Sequence, residues 1–106
     1  MSNCIFCKIA AGEIPAQKLY EDDDMVAFHD IHPKAPVHFL LIPKQHVDSL
    51  AHCDATHQAM LGKLLLLAPK LAAEQGLADG FKTAINTGVG GGQEVFHLHL
   101  HVLGNK

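Results

Sequence analysis

Apolar residues recur three and four positions apart along the second half of the chain. Met60, Leu61, Leu64, Leu65, Ala68, Leu71 and Ala72 trace the stripe of an amphipathic helix. Asp54 is placed to cap its start, and Gly76 is placed to end it in the left-handed conformation that glycine accepts most readily. Leu64 to Leu67 are four leucines in succession, and at about 100° per residue they cover most of the helix circumference. One sheet buries only one side of such a helix. The far face therefore predicts a second partner, and for a short chain another copy of itself is the simplest source. Pro69 lies inside the pattern and predicts a kink or a local break.

The remaining pattern is that of short elements. Residues 3–11 read as a short helix with Ile5, Phe6 and Ile9 on one face, Asn3 or Ser2 as its cap, and Gly12 at its end. Lys18–Glu21 and residues 25–30 are β-rich runs joined by the turn-forming Asp22-Asp23-Asp24, which predicts a hairpin. Val37–Pro43 reads as a third strand, bounded by Pro36 and Pro43. Residues 81–86 form a fourth strand, 87–93 a glycine-bearing loop, and 95–103 a fifth strand. Hairpin, strand, helix and hairpin in that order predict an α+β fold. It has a mainly antiparallel five-stranded sheet, with one short and one long helix.

The chain has 106 residues, which a single core uses up, so one domain over residues 1–106 is expected. Apolar residues are 48% and charged residues 18%, the balance of a packed protein. A net charge of −3 with no basic run argues against a nucleic-acid partner, so any phosphate must be held locally. No signal pattern or membrane-length apolar stretch is present, and a cytoplasmic protein is expected. Cys4, Cys7 and Cys53 are an odd number and do not form a disulfide framework.

Nine histidines are unusual for this length, and His97, His99 and His101 fall within five residues. On a strand their side chains share one face, while Phe96, Leu98, Leu100 and Val102 point to the other, the core face. Alternate residues are about 6.6 Å apart, so three imidazoles span roughly 13 Å, a length that suits a polyphosphate. Gly88, Gly90, Gly91 and Gly92 just upstream let backbone N–H groups approach an anion. A neutral imidazole is a nucleophile and its conjugate acid a proton donor near pH 7. His99, flanked on both sides, is the natural nucleophile; its other ring nitrogen needs an acceptor, for which a backbone carbonyl is suited.

The spacing leaves three readings open: catalysis, a metal-binding row, and a solvated face. Cys4-x-x-Cys7 is equally open between a redox pair, metal ligands and neither. Ile5, Phe6, Ile9, Phe28 and Ile31 fit an ordinary core, and Asp30 fits a turn acid. His52 and His57 read as surface residues and Cys53 as a structural thiol.

Residues 91–103, Gly-Gly-Gln-Glu-Val-Phe-His-Leu-His-Leu-His-Val-Leu, resemble the His-x-His-x-His signature of the histidine triad family. Ile5-Phe6-Cys7-Lys8-Ile9, Glu13-Ile14-Pro15-Ala16, Ala27-Phe28-His29-Asp30-Ile31 and residues 35–44 are similar, in order, to its Hint branch, the purine nucleoside phosphoramidases. The resemblance implies a homodimer with a continuous ten-stranded sheet. It implies that His99 attacks the α-phosphorus to form a nucleotidyl-histidine, and that water then releases the nucleoside monophosphate. His101 and His97 would contact phosphate oxygens or move protons, with His38 in support. Asp30 would hold the ribose, and Phe6, Ile9, Ile14, Phe28, His29 and Ile31 would form the base pocket. Asn86, Gly92, Gln93 and Val95 would line the phosphate end. No catalytic cofactor is implied. In some bacterial members the residues matching Cys4, Cys7, His46 and His97 bind a structural zinc, in a closed set without an open position. Bacterial members also carry glutamate where Glu94 stands, whereas animal members carry serine. The absence of tryptophan and of a longer tail after Lys106 bears on leaving-group preference. The competing functions are a nucleotide-binding regulatory or scaffold protein and a metal protein that uses the histidine row.

Overall fold

A computed structural model describes residues 3–106; Ser2, one of the two expected helix caps, lies outside them. Helix α1 (Ile5–Ala10) is followed by strands β1 (Lys18–Glu21), β2 (Met25–His29) and β3 (Val37–Pro43). Helix α2 (Gln58–Glu74) comes next, then β4 (Lys82–Ala84) and β5 (Leu100–Gly104). The five strands make one sheet in the order β1-β2-β3-β5-β4, with every neighbouring pair antiparallel. The expected α+β architecture is present.

Alternation along the strands divides the core between two faces. Met25, Ala27, Val37, Phe39, Leu41, Leu100 and Val102 pack with Leu64, Ala68, Leu71 and Ala72 of α2. On the other face Val26, Phe28, Leu40 and Ile42 pack with Phe6 and Ile9 of α1. Strand β3 is buried at every position, which is why its sequence is nearly continuous in apolar residues. His38 is the exception. It shares the α1 face with His101, its diagonal neighbour across the β3–β5 pair, where His38 registers with Leu103 and Leu40 with His101.

Several boundaries differ from the sequence reading. Helix α1 is capped by Cys4, not Asn3, because the Cys4 sulfur accepts the Cys7 N–H at 3.3 Å. Gly12 has φ of +80°, as its place after the helix requires. Asp54 caps a 3₁₀ turn (Ala55–His57) that leads into α2. Pro69 does not break α2, which is helical throughout Gln58–Glu74. The carbonyl deprived of its partner belongs to Leu65, on the exposed face of the helix. Strand β4 is shorter than residues 81–86, and β5 begins only at Leu100, not at residue 95. Among the described residues no helix is long and apolar enough to cross a membrane.

The leucine run divides as the sheet requires. Leu64 is fully buried, whereas Leu65 and Leu66 are 50% and 76% exposed. Leu71 is also fully buried in the α2 cluster. Leu71→Ala should therefore cost about 2–5 kcal/mol, seen as a lower urea midpoint with an unchanged slope. A loss below about 1 kcal/mol would show that α2 does not carry the core in this way.

Candidate functional site

The residues before β5 set the site. His97, Leu98 and His99 precede the strand, and only His101 of the three histidines lies on it. Leu98, Leu100 and Val102 enter the α2-side core, while Phe96 is 40% exposed instead of buried. Residues 95–99 have no ladder pairing, yet the expected alternation holds from His97 onward, with Leu98 in the α2-side core and the His97 and His99 rings against Phe6 of α1. The described contacts holding this stretch include Leu98 N–H donating to Val47 O at 2.7 Å. Gln93 also braces it: its Oε1 accepts the Gly88 N–H, and its Nε2 donates to the carbonyls of Asp48 and Val95.

The three imidazoles share the α1 side of the sheet but divide between two sites. His97 is fully buried and serves a separate cluster, whereas His99 and His101 line a cavity of about 800 Å³ on the α1 side of the sheet. His99 Nδ1 lies 2.7 Å from the His97 carbonyl. A carbonyl only accepts, so Nδ1 carries the proton and Nε2 keeps a bare lone pair. Phe6 meets His99 edge-on with centroids 5.1 Å apart and meets Phe28 at 5.4 Å. Burial holds the His99 imidazole below the ordinary histidine range, opposed by its bond to the His97 carbonyl.

A second chain of hydrogen bonds runs through His38. The Lys34 N–H donates to His38 Nδ1 at 3.1 Å, so the neutral ring carries its proton on Nε2. That nitrogen is 3.0 Å from His101 Nδ1 and 3.4 Å from Asp30 Oδ2. His101 Nδ1 accepts, which places the His101 proton on Nε2. The His99 and His101 rings are 5.0 Å apart. Asp30 also accepts the His32 N–H at 2.8 Å, the local contact of a turn acid.

Of the residues expected around a base and ribose, Phe6, Ile9, Ile14, Phe28, His29, Asp30 and Ile31 all line this cavity. Asn86, Gly92, Gln93 and Val95 do not. Gln93 is turned inward as a brace, and Val95 packs against the α1-side core. Sequence reasoning did not place Ile5, Pro15, Ala16, Gln17, Leu40 or Glu94 there, yet these six also line it. Glu94 stands directly after the Gly-Gly-Gln stretch, and that adjacency was its signal. His52 and His57 make local contacts only, with Ser49 and Asp54.

Cys4, Cys7, His46 and His97 converge, with one ligand atom from each and all within 4.8 Å of one another. His97 Nε2 is 2.7 Å from the Pro43 carbonyl, and His46 Nε2 is 2.6 Å from Asp48 Oδ1. Both partners are acceptors, so both neutral rings carry their protons outward and leave Nδ1 bare. These two Nδ1 atoms face each other at 3.1 Å, with cysteine sulfurs at 3.2–3.5 Å. Two lone pairs at that distance repel unless a cation or proton lies between them. Two thiolates and two imidazoles oriented by outer hydrogen bonds are a donor set that fits a tetrahedral ion. Because its ring is committed here, His97 does not reach the cavity, contrary to the expectation that it contacts phosphate or moves protons.

Comparison with known proteins agrees with this geometry. Residues 11–106 match the HIT domain family. Protein HitA of Neisseria gonorrhoeae is 66% identical over 104 residues, covering 98% of this chain and 97% of that protein. A HIT family hydrolase from Legionella pneumophila superposes with a TM-score of 0.94 at 48% identity, covering 96% of this chain and 92% of the other. A histidine triad protein from Clostridium difficile gives 0.95 at 46%, covering 100% and 93%.

Burial lowers the affinity of His38 and His101 for protons; for His101 the neighbouring His99 and His38 add to the effect. The unfolded chain binds protons at the ordinary histidine value, so it is protonated first as pH falls. Their contribution to stability is complete above about pH 6.5 and is lost progressively below it. Thermal melts from about pH 8 to about pH 5 should show this decline, and His101→Asn should flatten it. An equal decline in the variant would remove His101 as a source.

Proposed function

The chain belongs to the HIT domain family, and on that premise we propose that it hydrolyses purine nucleoside 5′-phosphoramidates, or related acyl-nucleotides, through a covalent nucleotidyl-histidine. The histidine cluster has the arrangement that HIT-type chemistry uses. The observation that carries the reading is the 2.7 Å bond from His99 Nδ1 to the His97 carbonyl, which leaves a bare Nε2 on a residue lining the cavity.

In this reading the purine lies against Phe6, Ile9, Ile14, Phe28 and Ile31, and the ribose hydroxyls meet Asp30 beside His29. His99 Nε2 attacks the α-phosphorus, forming a P–N bond as the bond to the departing amine breaks. His101, its tautomer set by His38, presents Nε2–H to the departing nitrogen or to a phosphoryl oxygen. Water then cleaves the bond to His99 and releases the nucleoside monophosphate. Gln93 acts by holding the glycine loop, while His97 contributes its carbonyl. Cys4, Cys7, His46 and His97 would hold zinc, which supplies a closed structural cross-link. Such a cluster needs reduced thiols, which suits the cytoplasm.

We read the functional unit as a homodimer built on this single domain. Leu65 and Leu66 leave an apolar face on α2 uncovered, and β4 is an edge strand through which two five-stranded sheets would join into ten.

His99→Asn should keep nucleotide affinity while turnover falls on the order of 10³-fold or more. Mass spectrometry after brief incubation with an adenosine phosphoramidate should show a nucleotidyl adduct on the native chain and none on the variant. Near-normal turnover in a folded, nucleotide-binding variant would refute the covalent mechanism. For the dimer, Leu66→Glu should weaken association more than it harms the fold. A compact monomer for the native chain in sedimentation at micromolar concentration would exclude the assembly.

A further inference from the structure

The cysteine–histidine cluster and the candidate nucleophile meet in one residue. His97 gives its ring to the cluster and its carbonyl to His99 Nδ1. Its Nε2 is tied to Pro43 O at the end of β3. Phe6, in the first turn of the helix that Cys4 caps, meets the His97 and His99 rings edge-on at 6.0 and 5.1 Å. The His97–Leu98 peptide lies before β5 begins, outside the sheet's hydrogen-bond ladder, and its N–H donates at 2.7 Å to the carbonyl of Val47, the residue next to His46.

We propose that the Cys4–Cys7–His46–His97 cluster is a positioning device for the nucleophile. An ion held there fixes the His97 peptide and thereby the placement of His99 Nε2. His97 is then a positioning residue that acts through His99 and does not touch substrate. The inference rests on the reading of His99 as nucleophile given above.

The physical basis is that the cluster joins three segments remote in sequence: the start of α1, the loop after β3, and the stretch before β5. With neither a cation nor a proton between them, the bare Nδ1 atoms, 3.1 Å apart, repel. His46 is exposed and tied outward only to the exposed Asp48, so it can move with that loop, and the His97 ring then keeps its Nε2 bond to Pro43 on the side away from the cluster. Helix α1 stays docked, because Phe6 and Ile9 are buried against Val26, Phe28, Leu40 and Ile42. The apolar wall of the cavity therefore persists. Losing the ion should alter rate and spare affinity, since misplacing a nucleophile by about 1 Å can cost on the order of 10²-fold.

The test uses the full chain, loaded with zinc, stripped by a chelator, and reloaded. In the loaded chain the His99 Nδ1 proton should give a sharp downfield NMR resonance, assigned by its loss in His99→Asn. Stripping should broaden or move that resonance and lower kcat by about tenfold or more. KM and the Kd for a purine nucleoside monophosphate should stay within about threefold. His46→Cys, which keeps four donors, should retain zinc, resonance and rate, whereas His46→Ala should behave as the stripped chain.

A stripped, folded chain with an unchanged resonance and kcat would overturn the proposal, as would a chain that binds no zinc. A stripped chain that unfolds by circular dichroism would also overturn it, because the ion would then hold the fold and not the nucleophile. If the loaded enzyme turns over no phosphoramidate, the proposed reaction has failed, and the response of the His99 resonance alone decides the positioning role.

Discussion

The hydrogen bond from His99 Nδ1 to the His97 carbonyl, 2.7 Å long, is the constraint on which the site depends. A backbone carbonyl cannot donate, so the bond leaves one tautomer available and puts the lone pair on Nε2. Of the two residues it joins, His97 gives its ring to the cysteine cluster and His99 lines the cavity. The consequences run outward from there. His97 is captured by Pro43 and the cysteines, Phe6 fits against both rings, and α1 closes one side of the cavity.

The cavity proposed to take a nucleotide has no cationic side chain of lysine or arginine in its lining. The chain has no arginine, no lysine lines the cavity, and its charged lining residues are Asp30 and Glu94. His38 and His101 are kept neutral by burial, and their tautomers follow from a donor at one end, the Lys34 N–H, and an acceptor at the other, His101 Nδ1. Phosphate binding would thus rely on N–H groups and oriented dipoles. Such groups need less desolvation than paired ions and need not reorganise when charge develops on phosphorus.

The fold separates tasks between the two faces of one sheet. The face under α2 is purely apolar packing around Phe39, Leu71 and Leu98. The face under α1 carries a smaller apolar cluster and all the imidazole chemistry. Strand β3 joins them, with Phe39 and Leu41 on one side and His38 and Leu40 on the other. A strand buried on both faces cannot shift register without moving His38 into the α2 core, so the core pins the site.

Local chemistry made much of this legible in the sequence. The helix stripe from Met60 to Ala72, the aspartate turn before Met25, the nearly continuous apolar run of β3 between its prolines and the need of His99 for a carbonyl acceptor all follow from local pattern and donor inventory. The residues from Phe6 to Ile31 that line the cavity were legible as a group only because the chain resembles a known family. Other features were decided by tertiary contacts. Cys4 stands in place of Asn3 as a cap, its sulfur accepting the Cys7 N–H and lying beside His97; β5 began late because residues 95–99 follow Val47 and Gln93 instead of a strand. Gln93 turned inward to satisfy three backbone groups. Periodicity describes what a residue's neighbours in sequence allow. The parting of His97 from His99 depends on acceptors more than 50 positions away, Pro43 for one and Cys4 and Cys7 beyond it, and no local pattern encodes where those acceptors will stand.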